Sequence, residues 1–366
     1  MTCRVGPAII AGRNDLGRCR RARSVVKCLV SALLGAALAV VVAEAYVRPI
    51  YTLSVVYEPG IGYVNAPGRA RWGIEGIAAS TWGAHGVRVI PGRGDPATEE
   101  RFAKVLVLGD SFTEGMMVAD HEVFPAVAQG KLDREAVEVD LVNAGRSTMS
   151  AADYVALAPR YRELFAPNWT VTELRSSDLA EDAWAPGRTH FERDPEGRLF
   201  AEAIVPPPRA GRSGTVFQLR QESMFLGYGV VRFGRFRTAA QAEPPLFQAS
   251  QRAPAPPAPP APPVEEELDL LFKAWEDRLT LLFISAMDAN DPTEERVRGY
   301  CERHHASCVF TRSRFLDLQA RGHDPYGFSN TYPGEGHMNA HGHALAGRLL
   351  ADELTRIRAT ITEARR

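Results

Sequence analysis

The chain has 366 residues, of which 45% are hydrophobic and 24% charged, and its formal net charge is −1. A chain of this length and composition can bury one sizeable hydrophobic core. Its charge is unevenly distributed, because the first 27 residues contain seven Lys/Arg and one acid, while the remainder has a net charge of −7. The excess of basic residues is therefore confined to the N-terminus, and nothing beyond it indicates a nucleic-acid-binding surface.

The N-terminus combines this basic segment with a long apolar run, the pattern that orients proteins in membranes. Residues from Val25 to Val47 make a stretch of 23 residues, which is long enough to cross a bilayer. We predict a basic cytoplasmic tail at 1–24 and an uncleaved transmembrane anchor at 25–47, since the run is longer than most signal-peptide cores. The rest of the chain would then lie outside the cytoplasm, in the periplasm or at the cell surface. The triplet Ala43-Glu44-Ala45 keeps signal-peptide cleavage open as the alternative.

The remaining chain divides into a short lead-in and one α/β domain. Gly and Pro interrupt residues 48–102 often, which predicts short strands and turns. Residues 103–361 alternate apolar strands and amphipathic helices. The predicted strands are 103–108, Val137–Val142, Trp169–Leu174, Leu279–Ser285 and a run that begins at Cys308. The predicted helices are 121–134, Ala151–Leu164, 217–235, Glu265–Arg278, Thr293–His304 and Ala340–Ile361. This alternation predicts an α/β fold, a three-layer sandwich with a central parallel sheet.

Three local features interrupt the alternation. Asp194–Arg198 is a turn signal at the tip of a hairpin. Residues 243–263 form a Pro-rich insert whose last part, 253–263, cannot make helix or sheet hydrogen bonds, so we predict an extended loop within the domain. A docking site for a proline-recognising partner is the alternative for this loop. Cys301 and Cys308 are the only cysteines beyond the anchor, and they form either a disulfide or two free thiols.

The clearest chemical signal follows the first domain strand. Gly109-Asp110-Ser111 ends the apolar run 104–108, which places a serine hydroxyl at the carboxyl end of a buried parallel strand. Ligands of open α/β sheets bind at this edge. Ser111 is therefore our predicted nucleophile, and the alternative is that Ser111 only caps the following helix.

A nucleophilic serine needs a base, and four late histidines compete for that role. His337 precedes the last helix in a loop that can approach the strand ends, whereas His323 lies in a polar loop and His341 and His343 lie within that helix. We therefore predict His337 as the base. His337 and His341 have a metal-ligand spacing, but no acidic or cysteine partner completes a site, so we predict neither a metal nor another cofactor.

Four blocks of the sequence resemble motifs of the SGNH/GDSL hydrolase superfamily, in its bacterial membrane-anchored branch. They are Gly109-Asp110-Ser111, Val142-Asn143-Ala144-Gly145, Arg175-Ser176-Ser177-Asp178-Leu179 and Glu335-Gly336-His337-Met338-Asn339. The resemblance covers about residues 103–358 and implies the SGNH/flavodoxin-like form of the three-layer sandwich. It also implies that Ser111 and His337 are catalytic and that the backbone N–H groups of Ser111 and Gly145 belong to the oxyanion hole.

Two blocks depart from the family pattern. The third block has Ser177 in place of the usual asparagine, so its hydroxyl would replace the amide as an oxyanion donor. The last block has Glu335 two residues before His337, where relatives often have an aspartate three residues before the histidine. The resemblance implies that Glu335 orients His337, and the alternative is a solvated loop carboxylate.

These observations predict an extracytoplasmic, membrane-anchored serine hydrolase that acts on an ester or an acylated carbohydrate through a Ser-His pair. Two alternatives remain open. The same residues would serve a polysaccharide O-acetyltransferase, in which a sugar hydroxyl replaces water. The altered third block would also fit a pseudoenzyme that binds a glycan or a protein partner without turnover.

Overall fold

A computed structural model describes residues 12–93, 102–180, 188–208, 211–230, 264–285, 287, 291–331 and 334–365. The first described element is a long helix, α1 (Gly12–Val47). Its part Val25–Val47 is long and apolar enough to cross a membrane, by length and composition. Leucines and valines along this part are exposed to the surroundings, but Val47 at its end is buried in the protein.

The lead-in after α1 folds into two antiparallel hairpins. Strand β1 (Val55–Glu58) pairs with β2 (Gly62–Asn65), and β3 (Gly68–Trp72) pairs with β4 (Ala78–Trp82). A short 3₁₀ turn follows at Ala84–Gly86. The lead-in is thus made of short strands and turns that pack beside the domain.

The core of the domain is a five-stranded parallel sheet, as predicted. Its strands are β5 (Ala103–Leu108), β6 (Val139–Asn143), β7 (Trp169–Leu174), β10 (Leu279–Phe283) and β11 (Ser307–Phe310). Their spatial order is β11-β10-β7-β5-β6, and each neighbouring pair is parallel. The chain adds β6 on one side of β5 and all later strands on the other side. The carboxyl end of β5 is therefore the topological switch point, where open sheets of this kind bind ligands.

Helices cover both faces of this sheet. They are α2 (Ser111–Glu114), α3 (Phe124–Arg134), α4 (Ala151–Ala156), α5 (Ala158–Phe165), α6 (Ser176–Ala180), α9 (Val264–Ala274), α10 (Pro292–His304), α11 (Arg312–Ala320), α12 (Ala340–Arg356) and α13 (Arg358–Glu363). Successive strand residues point to opposite faces. Val105 and Val107 of β5 pack with α3 and α12, whereas Leu106 and Leu108 pack with α4, α5, α9 and α10. The predicted three-layer sandwich is confirmed.

Several predicted elements have different bounds. The predicted helix Ala151–Leu164 is divided at Leu157 into α4 and α5, because Pro159 has no N–H to continue the hydrogen bonding and lies in the first turn of α5 instead. The predicted last helix is similarly divided at Ile357. The predicted helix 217–235 corresponds in part to α7 (Gly211–Glu222) and to the helical residues 224–230, which we call α8, while its last part, 231–235, lies outside the described residues.

Two other expectations concern local features. The predicted hairpin is present as β8 (His190–Arg193) and β9 (Leu199–Glu202). Cys301 and Cys308 form a disulfide that joins α10 to β11, which resolves the alternative left open by the sequence. The Pro-rich insert 243–263 lies outside the described residues.

The packing of α12 against α3 buries a histidine. His343 is 1% exposed, and its Nδ1 accepts a hydrogen bond from the N–H of Phe124 at 3.3 Å. Burial, with a contribution from the cation Arg88, lowers the pKa of His343 to about 3. His343 is therefore neutral in the folded protein at every physiological pH.

We expect this histidine to make stability depend on pH. Below a pH of about 6.5 the unfolded chain binds a proton at His343 that the folded protein excludes, so the free energy of unfolding falls as pH decreases. The loss is about 1.4 kcal/mol per pH unit, or about 2 kcal/mol at pH 5. His343→Gln should remove this dependence, whereas the exposed His341→Gln should retain it. Urea unfolding of the detergent-solubilised parent and variants at pH 7 and pH 5 measures the free energy of unfolding at each pH. An equal loss of this free energy between pH 7 and pH 5 in the parent and in His343→Gln would contradict the prediction.

Candidate active site

The nucleophile candidate lies where the sequence places it. Ser111 is the first residue of α2, directly after β5. The N-cap is Asp110, whose carboxylate accepts a hydrogen bond from the N–H of Phe112 at 2.8 Å. Ser111 is therefore not the capping residue, and its hydroxyl is left for another role. The absence of a side chain at Gly109 is required, because a Cβ there would collide with Thr113 and Glu173.

The predicted base lies beside this serine. The Nε2 of His337 is 2.8 Å from the Oγ of Ser111, although 226 residues separate the two in the chain. The ring of Phe112 lies 5.1 Å from the imidazole, centroid to centroid, and shields one of its sides from solvent. Ser111 and His337 thus form the hydrogen-bonded pair that the sequence predicts.

The loop that carries His337 is held by Asn339. Its amide nitrogen donates to the carbonyls of Asp324, Tyr326 and Gly327, at 2.8, 3.2 and 3.1 Å. Its side-chain oxygen caps α12 by accepting the N–H groups of two residues in the first turn. Asn339 thus bonds to the preceding loop and also caps the start of α12. Because His337 lies between these two contacts, its position is fixed.

The carboxylate partner of His337 is not the predicted one. Glu75, from the lead-in between β3 and β4, accepts from His337 Nδ1 at 2.7 Å through its Oε2. Its Oε1 accepts from the backbone N–H of His337 at 2.8 Å. Glu75 is 4% exposed, so its carboxylate faces the histidine in a largely dry environment.

The prediction that Glu335 orients His337 is wrong in this geometry. Glu335 is exposed, and the chain between it and His337 turns at Gly336, whose φ is +83°. A side chain at Gly336 would collide with Oε1 of Glu75, so Glu75 already fills the space beside the imidazole. Glu335 instead matches the alternative of a solvated loop carboxylate.

Sequence reasoning missed Glu75 because 262 residues separate it from His337. Its one local signal is an acid within the apolar, glycine-rich segment Gly73-Ile74-Glu75-Gly76-Ile77. Asn330 lies in the loop that carries His337. Its side-chain oxygen accepts a hydrogen bond from the N–H of Gly76 at 2.8 Å, and its side-chain nitrogen donates to the carbonyl of Gly76 at 3.2 Å. The loop that carries His337 therefore also holds the segment that carries Glu75.

The predicted oxyanion donors have different surroundings. The N–H of Ser111 lies at the start of α2 and has no protein acceptor among the described residues. The N–H of Gly145 donates to Oδ1 of Asn143 at 3.1 Å, so it would have to leave this bond to face a substrate. Ser177 is half-buried, and no hydrogen bond of its hydroxyl occurs within the described part of the chain. The roles of Gly145 and Ser177 stay predictions.

The third block contributes an arginine close to Ser111. Arg175 donates to Oδ2 of Asp110 at 2.6 Å and lies 4.6 Å from the centre of the Phe112 ring. Burial acts to lower its pKa, but the carboxylates of Asp110 and Asp178 outweigh burial and raise the pKa of Arg175. Burial raises the pKa of the adjacent Glu173 well above its usual range, and the same two aspartates add to the effect. This network fixes the backbone on which Ser111 lies.

Two cavities lie near the carboxyl end of β5. One, of about 460 Å³, has both apolar and polar walls, which include Phe112, Tyr326, Arg175 and Ser177. The other, of about 360 Å³, lies between the lead-in, the segment after β6 and the β8–β9 hairpin, and Glu114 and Ser147 are part of its polar wall. The first cavity is lined by Phe112 and Gly336, the chain neighbours of Ser111 and His337, so it offers room for a substrate beside this pair.

A metal site would have to form elsewhere. In the described part of the chain, one group of potential ligands lies close together, namely His190, Glu192 and Glu202 on the β8–β9 hairpin. His337, one of the histidines weighed for metal binding, instead engages Ser111 and Glu75 through its two ring nitrogens.

No model of a protein family and no curated protein matches the chain. Among solved structures, it is similar to a lipase/acylhydrolase from Enterococcus faecalis, with 13% identity, 69% of this chain and 96% of that chain covered, and a TM-score of 0.37. It is also similar to a catalytic mutant of Axe2, an acetylxylan esterase from Geobacillus stearothermophilus, with 14% identity, coverages of 70% and 95%, and a TM-score of 0.36. The esterase EstA from Pseudoalteromonas sp. matches with 11% identity, coverages of 69% and 97%, and a TM-score of 0.36. We base the function proposed below on the geometry of the site itself.

Proposed function

We propose that the protein is a serine hydrolase of ester bonds, of the SGNH/GDSL type, with Ser111, His337 and Glu75 as its catalytic residues. The observation that carries this proposal is the continuous hydrogen-bonded chain from Ser111 Oγ through both imidazole nitrogens to the buried carboxylate of Glu75. Such a chain activates a hydroxyl for nucleophilic attack. It favours an enzyme over the pseudoenzyme alternative, since each member of the triad is in place.

The geometry supports a two-step reaction. Ser111 Oγ attacks the acyl carbon while His337 Nε2 takes the hydroxyl proton, and Glu75 stabilises the imidazolium that forms. The ester C–O bond then breaks, and His337 returns the proton to the leaving alkoxide. In the second step a water loses its proton to His337 and attacks the acyl-enzyme, which releases the carboxylic acid and restores Ser111. The negative oxygen formed in each step would lie near the N–H of Ser111 and the positive end of α2.

The anchor helix supports an extracytoplasmic location for this site. Glu44 accepts hydrogen bonds from the backbone N–H groups of Met224 and Phe225 in the domain, at 3.2 and 3.3 Å. Val47 packs in one apolar cluster with Tyr51 and Trp72. Cleavage after Ala45 would remove Glu44 from these contacts, so the packing favours an uncleaved anchor. With the anchor retained, the basic residues that precede it favour a domain outside the cytoplasm.

A fluorophosphonate probe tests the nucleophile directly. We expect the parent chain in membranes to be labelled and Ser111→Ala to lose the label completely, because the probe reacts only with an activated serine. The exposed Ser313 on α11 offers a control, and Ser313→Ala should label like the parent. Absence of labelling in a normally folded parent would contradict the proposal. Labelling that persists in Ser111→Ala would contradict it as well.

A further inference from the structure

The helix α8 is apolar on all sides although it lies at the protein surface. From Ser223 to Val230 the sequence has no charged residue. One side of the helix packs on the protein, with Gly227 buried and with Met224 and Tyr228 against the cluster that contains Tyr51. The other side exposes Phe225, Leu226 and Val230, whose exposed fractions are 39%, 47% and 46%. Helices that are hydrophobic all round are normally buried, so the outer side of α8 needs a cover.

The position of α8 indicates what that cover is. Glu44, in the last turn of the apolar stretch of α1, accepts hydrogen bonds from the hydroxyl of Ser223 and from the first N–H groups of α8. A carboxylate at a helix N-terminus is favoured by the helix dipole. Glu44 therefore ties the start of α8 to the end of the candidate membrane span. The described residues of α8, 224–230, extend about 10 Å at 1.5 Å per residue, and their exposed apolar side chains therefore begin at the level where the candidate span ends, in the surface layer of a membrane.

The catalytic residues are close to the same end of α1. A Cβ at Gly73 would lie 2.8 Å from the carbonyl oxygen of Ile50, three residues after Val47. The two backbones are thus in contact, and Glu75 follows Gly73 by two residues, at most about 8 Å along the chain. Since Glu75 bonds directly to His337, the triad lies near the outer end of the anchor.

We propose that α8 is buried in the headgroup layer of the membrane that α1 crosses, and that Ser111 therefore acts on esters carried by membrane-resident amphiphiles. The occupant of the apolar side of α8 is thus the lipid surface. The side of α8 that enters the lipid carries Phe225, Leu226 and Val230. The opposite side, with Met224, Gly227 and Tyr228, packs on the domain and so holds the domain at the membrane surface. The half of this proposal that names the substrate rests on the proposed esterase activity, whereas the half that names the lipid surface does not.

The depth of α8 can be measured in the full chain. Cys3, Cys19 and Cys28 are changed to serine, the Cys301–Cys308 disulfide is kept, and single cysteines carrying the fluorophore NBD are placed at Leu226, at Val42 in the anchor, or at Leu316 on α11. Leu226 and Leu316 have similar exposure, 47% and 44%. The protein is reconstituted in nanodiscs of phosphatidylcholine and phosphatidylglycerol, with or without lipids that bear a doxyl quencher near the headgroup.

We expect the quencher to reduce the emission at Leu226 and Val42 and to leave Leu316 unchanged. Emission at Leu226 that behaves like that at Leu316, while Val42 is quenched, would overturn the docking of α8. An unquenched Val42 would show that α1 is outside the bilayer, and the proposal would fall with it.

The substrate class is tested by a paired kinetic measurement on the same nanodiscs. Leu226→Asp should lower kcat/KM for a long-chain fluorogenic ester held in the bilayer by roughly tenfold or more, which corresponds to about 1.4 kcal/mol. Hydrolysis of p-nitrophenyl acetate in solution should be unchanged, and Leu316→Asp should affect neither substrate. Equal losses on both substrates, or no loss on either, would overturn the membrane-resident substrate. A parent inactive on both would refute the esterase and this substrate class together, while the quenching result would still decide the docking of α8.

Discussion

Glu75→Gln is expected to lower kcat by about 10³- to 10⁴-fold with little change in KM, the size of effect seen when the acid of other serine triads becomes an amide. The Oε1 of the glutamine can still accept the N–H of His337, so the loop should keep its place. Its amide nitrogen would then face Nδ1 and donate to it, which moves the imidazole proton to Nε2. A protonated Nε2 cannot accept the proton of Ser111. Steady-state hydrolysis of a short-chain p-nitrophenyl ester measures the effect.

Glu335→Gln is the matched control for this substitution. It makes the same chemical change in a carboxylate that the sequence favoured as the partner of His337, but Glu335 is exposed and lies outside the hydrogen-bonded chain. We expect its kcat to stay close to that of the parent. If Glu335→Gln lost activity and Glu75→Gln retained it, the assignment of Glu75 would be refuted.

Arg88→Met is expected to lower the free energy of unfolding by about 3–5 kcal/mol, since it leaves buried groups without their partner. Arg88 is 1% exposed and comes from the lead-in. It donates to the carbonyls of Glu114 and Val118, at 2.9 and 2.7 Å, to that of Gly115, and to Asp120. These acceptors lie at the end of α2 and in the loop that follows it. Burial lowers the pKa of Arg88, and the partly exposed Asp120 opposes that shift, so the guanidinium itself is held in a largely dry site.

Arg71→Met makes the same change at an exposed position. Arg71 also donates to a backbone carbonyl, that of Pro49, but water can replace this bond. Arg71→Met should change the free energy of unfolding by no more than about 0.5 kcal/mol. Urea unfolding of both variants in detergent provides the comparison, and a loss below about 1 kcal/mol for Arg88→Met would mean that water or a neighbouring donor satisfies these carbonyls.

The sequence by itself determined the parts of this protein that depend on local patterns. Strand β5 and the turn that exposes Ser111 follow from an apolar run that stops at Gly109-Asp110. The parallel sheet follows from alternating strand and helix periods, because each period records which side of an element is buried. His337 was identifiable because it lies in the loop before a long amphipathic helix, and such loops meet the strand ends in this architecture.

The tertiary structure alone decided which groups surround these residues. The choice of Glu75 over Glu335 depends on how the lead-in packs against a loop 262 residues away, and nearness in sequence favoured the wrong carboxylate. The apolar outer side of α8 could be interpreted as a membrane contact only because the structure places α8 beside the end of α1. Hydrophobic periodicity specifies which face of an element is buried, whereas the partner of a polar group is set by which distant segments share that burial.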